Sequence, residues 1–336
     1  MSFKPVTITA LLLLSIASSA HSATSYNIKL LDYSQDQFRP FSINNNGTMA
    51  GETLNEDGYP WVTSSILQNS TRILPVLAPS TSNFFRKINN YGLAVGGINS
   101  SDGKSSYGLM YDTNTNEANF YSVPGSSFTY FWGVNDNNDV VGTYSISIEG
   151  NNLQTIGFVK NENGVSELAL SGYSVIPTAI NNNGHVAGIL VPEGDDLWVN
   201  TSGFIWDGLG FTIIRNEQLS TQIYDMNDRG DVVGYTIVPG QDYVQGFVMS
   251  NGMYYDLPAE SWHTGDGNLR VRYYVPLGIN SNGVIVGQSE VMYSGDPSLS
   301  HGFMATQVPE PETYAMMLTG LGLVGFMARR RKLAKV

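Results

Sequence analysis

One nine-residue stretch returns six times along the chain, as INNNGTMAG (43–51), INNYGLAVG (88–96), VNDNNDVVG (134–142), INNNGHVAG (180–188), MNDRGDVVG (226–234) and INSNGVIVG (279–287). The leading residues Asn44, Asn89, Asn135, Asn181, Asn227 and Asn280 are separated by 45, 46, 46, 46 and 53 positions. Self-similarity at a period near 46 confines the chain to repeat architectures, in which neighbouring units complete one another's core. In each copy two short apolar runs flank the turn, which is a hairpin signal. Asn183-Gly184 suits the positive φ angles of a tight primed turn. The leading Asn is expected to bond nearby backbone and open the turn. The fifth position is Gly in five copies and Asn138 in the third, and Asn is the residue that next best tolerates the left-handed region. Each copy closes on a Gly, at 51, 96, 142, 188, 234 and 287. A bulge or a close backbone approach is expected there, as six small-residue strands converging on an axis would require.

A second pattern follows each hairpin. GFVKNENGVSELAL (157–170), GFIWDGLGFTII (203–214) and GFVMSNGMYYDL (246–257) read as strand, turn, strand, with looser versions at 107–123 and 58–76. Each unit of about 46 residues therefore holds four strands, the size and strand count of a propeller blade. The last copy stops after HGFMATQ (301–307), one strand short, while SYNIKLLD (25–32) is a strand with no hairpin before it. The expected fold is all-β, a six-bladed β-propeller closed by its N-terminal strand, followed by a C-terminal hydrophobic helix. An open solenoid of blades is the rival arrangement. The repeats resemble the HAF-type extracellular repeat family over most of residues 41–306, most literally at His301-Gly302-Phe303. That resemblance implies a secreted, propeller-like protein and no particular chemistry.

Both ends read as addresses. Lys4, the apolar run 10–17 and the small residues that follow form a secretory signal peptide over 1–22, cut after Ser22, with a short membrane anchor as the alternative. Such a leader implies the Sec translocon and signal peptidase as partners. Residues 308–336 comprise Pro309-Glu310-Pro311, an apolar stretch and a basic end with Arg329, Arg330, Arg331 and Lys332. As a helix, 313–328 would rise ~24 Å, a marginal span of a ~30 Å hydrocarbon core, and the basic end would stay cytoplasmic. This tail closely resembles the PEP-CTERM sorting signal of Gram-negative bacteria. The resemblance implies cleavage by an exosortase-type membrane protease and an inner-membrane intermediate held only by the C-terminal helix. The destination it implies is the cell surface or extracellular matrix. The expected layout is thus a leader (1–22), a propeller (23–307) and a sorting tail (308–336).

Residues 24–309 carry 11 Lys or Arg against 27 Asp or Glu, which argues against nucleic acid as a partner. With no cysteine, disulfides and thiolate metal sites are excluded. No HExxH, Walker loop or GxSxG elbow is present, so catalysis would need groups gathered from several blades. No cofactor is expected. Calcium is the alternative, through NDNND (135–139) and NDRGD (227–231), whose oxygen side chains also suit plain turns. The best acidic cluster for a metal is Glu193, Asp195 and Asp196, for which a solvated hairpin tip is the plainer reading.

The period breaks once. Gly246 and Asn280 lie 34 residues apart, against 24 in the two preceding copies, and the extra length falls in 258–276. Trp262, Tyr273 and Tyr274 offer aromatic faces there, and His263, Asp266, Arg270 and Arg272 offer polar partners. Interruptions of a repeat often carry function, and aromatics with hydrogen-bonding neighbours suit a sugar. A longer strand with packed aromatics is the plainer account. A second aromatic group, SSFTYFWGVN (126–135), reads as blade packing. The expected function is non-enzymatic, an exported protein of the cell surface or biofilm matrix that binds or scaffolds extracellular polysaccharide, since PEP-CTERM sorting accompanies exopolysaccharide production. The alternative is an exported glycan-active hydrolase or lyase with its site at the propeller mouth.

Overall fold

The computed structural model describes residues 11–16, 26–31, 38–53, 63–69, 71–73, 82–148, 153–197, 199–216, 219–237, 239–240, 244–263, 269–292 and 301–308. Every regular element among them is a β-strand, and the strands form five sheets in a propeller-like arrangement. Four sheets are single four-stranded meanders, two of them with one added edge strand. The eight-stranded fifth sheet holds two meanders joined by one parallel pairing, Phe128 with Ser106. The innermost strands are Phe38–Ile43, Asn83–Ile88, Phe128–Val134, Tyr173–Ile180, Ser220–Met226 and Leu269–Ile279. Each runs into one of the six asparagine turns, and their last residues line a common central cavity.

The strand missing from the last repeat is supplied as the sequence suggests. Tyr26–Leu30 pairs antiparallel with His301–Gln307, placing Tyr26 opposite Gln307 and Leu30 opposite Phe303. Ala305 lies opposite Ile285, just past the last asparagine turn, so both chain ends leave this sheet at its asparagine-turn end. The apolar leader run appears as the strand Leu11–Ile16, parallel to the edge strand Phe211–Asn216. Cleavage after Ser22 would remove it and return that sheet to four strands. The sorting tail from Pro309 onward, with Glu310, Pro311, Arg329, Arg330, Arg331 and the expected hydrophobic helix, lies outside the described residues. Among the described residues no helix is long and apolar enough to cross a membrane.

The asparagine turns are not the primed turns that Asn-Gly suggests. In the fourth copy Gly184 N–H donates to the Asn181 carbonyl and Asn181 N–H to that of His185, closing a three-residue loop. Only Gly184 takes a positive φ (78°), and Asn138 does the same in the third copy (62°). This is a type I turn followed by one left-handed residue, the usual three-residue hairpin. The leading Asn has a larger role than opening it. Asn181 Oδ1 accepts the N–H groups of Asn183 and His185, both at 3.0 Å. Its Nδ2 donates across the sheet boundary to the carbonyl of Asn227 at 3.3 Å. The same bond runs from Asn44 to Asn89, Asn89 to Asn135, Asn135 to Asn181, Asn227 to Asn280 and Asn280 back to Asn44, at 2.9–3.2 Å. Six buried side chains thus close a ring of hydrogen bonds around the axis.

The closing Gly of each copy does sit at a bulge. Every inner strand shifts register opposite it, between Pro177 and Ala179 in the fourth copy. A Cβ on Gly188 would overlap the Ile176 carbonyl oxygen. The expected crowding at the axis is real but falls elsewhere, two residues before each Asn. There Gly133 backs onto Ala179, and Gly278 onto Ser42. The Gly-Phe pattern has a packing cause as well. Phe158, Phe204, Phe247 and Phe303 are fully buried inside their sheets. Gly302 lies beneath the Phe38 carbonyl and the Pro40 ring of the neighbouring sheet, where a side chain would not fit.

Asn181→Ala removes an acceptor from two turn N–H groups and a donor from a buried carbonyl. At about 1 kcal/mol per bond the expected loss is about 3 kcal/mol. Asn183→Ala, which loses one exposed bond to the Asp228 carbonyl, should cost under about 1 kcal/mol. Urea unfolding of the two variants checks the difference.

Candidate functional site

The inner strands define two mouths. At the asparagine-turn end a cavity of about 70 Å³ is lined by the turns and by Lys87 and Asp225. Ligand pockets start near ~300 Å³, so this space suits a few waters and no sugar. Its rim is already bonded. Asp136 Oδ1 accepts from Asn90 N–H at 2.9 Å, and Asp228 Oδ1 from Asn182 N–H at 2.9 Å. Asn182 Nδ2 donates to Oδ2 of both aspartates, at 2.9 and 3.0 Å.

The channel is blocked along the axis by an ion pair. Lys87, from the second repeat, places Nζ 2.9 Å from Asp225 Oδ1, from the fifth, and also donates to the Leu277 carbonyl at 3.1 Å. Asp225 accepts the N–H groups of Ile279 at 2.8 Å and Met226 at 2.9 Å. Burial pushes the Lys87 ammonium down and the Asp225 carboxyl up, each opposed by the other's charge. Small residues at the equivalent positions, Ser42, Gly133, Ala179 and Gly278, leave room for the pair.

On the far side of this strut the bulged residues of the inner strands face the axis, and those of the first three repeats form a cluster. The Arg86 guanidinium carbon lies 4.1 Å from the Phe41 ring centre, 4.8 Å from Phe84 and 5.7 Å from Trp132. Phe84 stacks on Trp132 (5.7 Å, 20°), and Tyr130 tilts against both, at 5.7 and 5.8 Å. Second contacts fix the rings. Trp132 Nε1 donates to Thr143 Oγ1 at 2.8 Å, and Tyr130 OH lies 2.7 Å from Ser106 Oγ. Arg39 and Glu52 pair across the first repeat at 3.0 Å. On the fifth repeat Tyr224 stacks on Tyr235 at 5.4 Å, and Gln222 Oε1 accepts both hydroxyls at 2.9 Å. Burial holds both phenols above their ordinary range, keeping them neutral.

The interrupted repeat projects at this same end. Glu260–His263 pairs with the start of Leu269–Ile279, the part of that strand farthest from the asparagine turn. His263 is exposed. Tyr273 OH donates to Glu290 Oε2, and Arg272 lies 3.5 Å from Glu260. Tyr274 instead turns into the sheet, buried edge-on against Phe303, with its hydroxyl donating to Glu260 at 2.8 Å. The backbone of Trp262 and Arg270 is paired, and their side chains and all of Asp266 lie outside the described residues. Glu193, Asp195 and Asp196 are exposed, Asp195 accepting from Asn200 Nδ2 at 3.0 Å. Among the described residues no three His, Asp or Glu side chains gather as a metal site. In the proposed calcium turns, Asn135 and Asn227 spend their side-chain oxygens on their own turn N–H groups.

The sequence reading of 126–135 as blade packing is half right. Phe131 is core, whereas Tyr130 and Trp132 join the mouth cluster. Phe41, Phe84 and Arg86 were missed, because they belong to different repeats and meet only around the axis. An available signal was their place relative to the leading Asn, three residues before it for Phe41, Arg86 and Trp132.

Residues 307–332 match the PEP-CTERM protein-sorting motif. The chain carries a PEP-CTERM sorting motif. The motif implies export, processing by exosortase, a membrane protease, and sorting to the cell surface in a Gram-negative bacterium. It begins at Gln307, the residue paired with Tyr26, so the sorting tail follows directly on the strand that closes the last sheet. No curated protein matches the chain. Among solved structures it is similar to an oligogalacturonate lyase in complex with manganese (12% identity, TM-score 0.45, covering 89% of this chain and 97% of that one). It is also similar to the β-propeller domain of the Trilobed protease from Pyrococcus furiosus (10%, 0.41, 83% and 97%). A third is a puromycin-hydrolyzing peptidase of Mycobacterium tuberculosis (11%, 0.44, 79% and 51%). Likenesses this distant bear on neither substrate nor chemistry.

Lys87→Met strands the buried Asp225 carboxylate and should cost about 3–5 kcal/mol. Lys87→Met combined with Asp225→Asn, which removes the charge and keeps one oxygen acceptor for Ile279 while giving up the Met226 bond, should recover part of it. The urea midpoints at constant m-value report the difference.

Proposed function

We propose that this protein is a non-enzymatic component of the cell surface or biofilm matrix that binds extracellular polysaccharide at the aromatic mouth. In this reading the eight-stranded sheet counts as two blades and the ring has six. The leader is removed by signal peptidase after Sec export, and the tail is a transient helix in the inner membrane until exosortase cuts it. Both tethers leave from the asparagine-turn end, so the mouth faces away from the membrane throughout.

The observation that carries the binding half is the cluster of Phe41, Phe84, Tyr130 and Trp132, half-buried together at the open end of the inner strands. A propeller needing only stability would bury such rings between its blades. Gathered at a mouth, they offer flat faces to the C–H surfaces of sugar rings. Flanking Arg39 and Tyr224, with Tyr273 from the interrupted repeat, supply groups for hydroxyls. Neither a cofactor nor calcium is required.

The test uses segment 23–307 and polysaccharide from the producing organism. Calorimetry with and without calcium should show binding that Trp132→Ala weakens about tenfold, with no shortening of the polymer chains. Shortening would establish the glycan-active hydrolase or lyase instead. The absence of binding would point to a protein partner.

A further inference from the structure

Arg86 is the one mouth residue whose chemistry the aromatic cluster does not explain. Its Nη1 is sealed from solvent and bonds no acceptor, and among the described residues none reaches the rest of the guanidinium. In contact, its charge meets the faces of Phe41, Phe84 and Trp132, while the Glu52 carboxylate favours it only through space, without a hydrogen bond. Of the neighbouring acids, Asp225 is held by Lys87, and Glu52 gives its Oε1 to Arg39 and makes no hydrogen bond to Arg86. A cation held flat on rings, with its planar edge left without an oxygen, is costly unless an acceptor arrives. In a segment carrying 27 acidic against 11 basic residues, leaving this cation unmatched runs against the prevailing charge.

We propose that Arg86 receives a carboxylate of an acidic polysaccharide, so that the mouth selects uronate-bearing sugars over neutral ones. This rests on the reading of the mouth as a glycan site and specifies its ligand class. The rings pack on the sugar, and the Nε–Nη2 edge of the guanidinium, which is not sealed as Nη1 is, pairs with the two carboxylate oxygens, a match of planar shapes that an ammonium cannot make. The protein's overall negative charge repels a polyanion at long range. Salt screens that repulsion beyond ~8–10 Å, whereas the pairing at the mouth acts in contact.

The experiment compares, on the exported protein isolated from cells, a polyuronate with the same polymer after its carboxyl groups are reduced to alcohols. At physiological salt, where the long-range repulsion is screened, the polyuronate should bind about tenfold more tightly. Arg86→Gln should bring the two affinities together, and Arg86→Lys should restore only part of the gap. Should Arg86→Gln fail to fold, the wild-type comparison and Arg86→Lys still decide. Equal binding of both polymers would overturn the carboxylate assignment and leave the glycan reading standing, whereas binding of neither would overturn both. A sulfated neutral glucan bound as tightly as the polyuronate would overturn the assignment too, by showing an unselective anion site.

Discussion

The structure depends on what each leading asparagine does with both ends of its amide. The oxygen takes two N–H groups of its own turn, and the nitrogen reaches the carbonyl of the next asparagine. Local turn and global ring are therefore made by the same six side chains. No other residue type can substitute easily. Aspartate has no donor for the inter-repeat bond, serine is too short to hold both partners, and glutamine places the amide one bond too far out. The bonds are buried, so an unmade one leaves a polar group without water, a larger effect than the bond's own net worth.

Ring closure creates a problem at the axis, where six strands meet and side chains must share one narrow space. Four repeats answer with Ser42, Gly133, Ala179 and Gly278, and two opposite ones with Lys87 and Asp225, whose side chains span the gap. A buried ion pair is weak evidence for stability, because desolvation consumes much of its attraction. What it does here is geometric. It joins opposite repeats, bonds the sixth through Leu277 and Ile279, and separates the polar chamber at the turns from the aromatic mouth.

The repeats differ along this axial column as well as in the insertion at 258–276. The turn and the Gly at the bulge vary little from copy to copy, whereas the residue three before the asparagine is Phe41, Arg86, Trp132, Thr178, Tyr224 or Leu277. The repeat supplies a scaffold of nearly equal units, and the bulge turns one variable residue of each toward a common point. A surface assembled this way takes the bulged residue of each repeat, joined here by Phe84 and Tyr130 from paired positions, and costs the fold little, because the bulged position is free of the ladder register.

Spacing alone determined the number of repeats, the four strands in each and the borrowed N-terminal strand, since period, turn residues and strand alternation are local properties. The motif at 307–332 is likewise readable from its own residues. The turn type was not, because Asn-Gly is compatible with two loop geometries and the bulge beside it selects the longer one. Nor was the second duty of the asparagines, which needs a neighbour 46 residues away in sequence and 3 Å away in space. The mouth was the least legible part. Tyr273 announced itself by interrupting the period, while Phe41, Phe84 and Arg86 lie inside ordinary strands of two different repeats. Only the packing of neighbouring repeats around the axis decided that they would meet, because that proximity depends on the angle between repeats and is not written in any one of them.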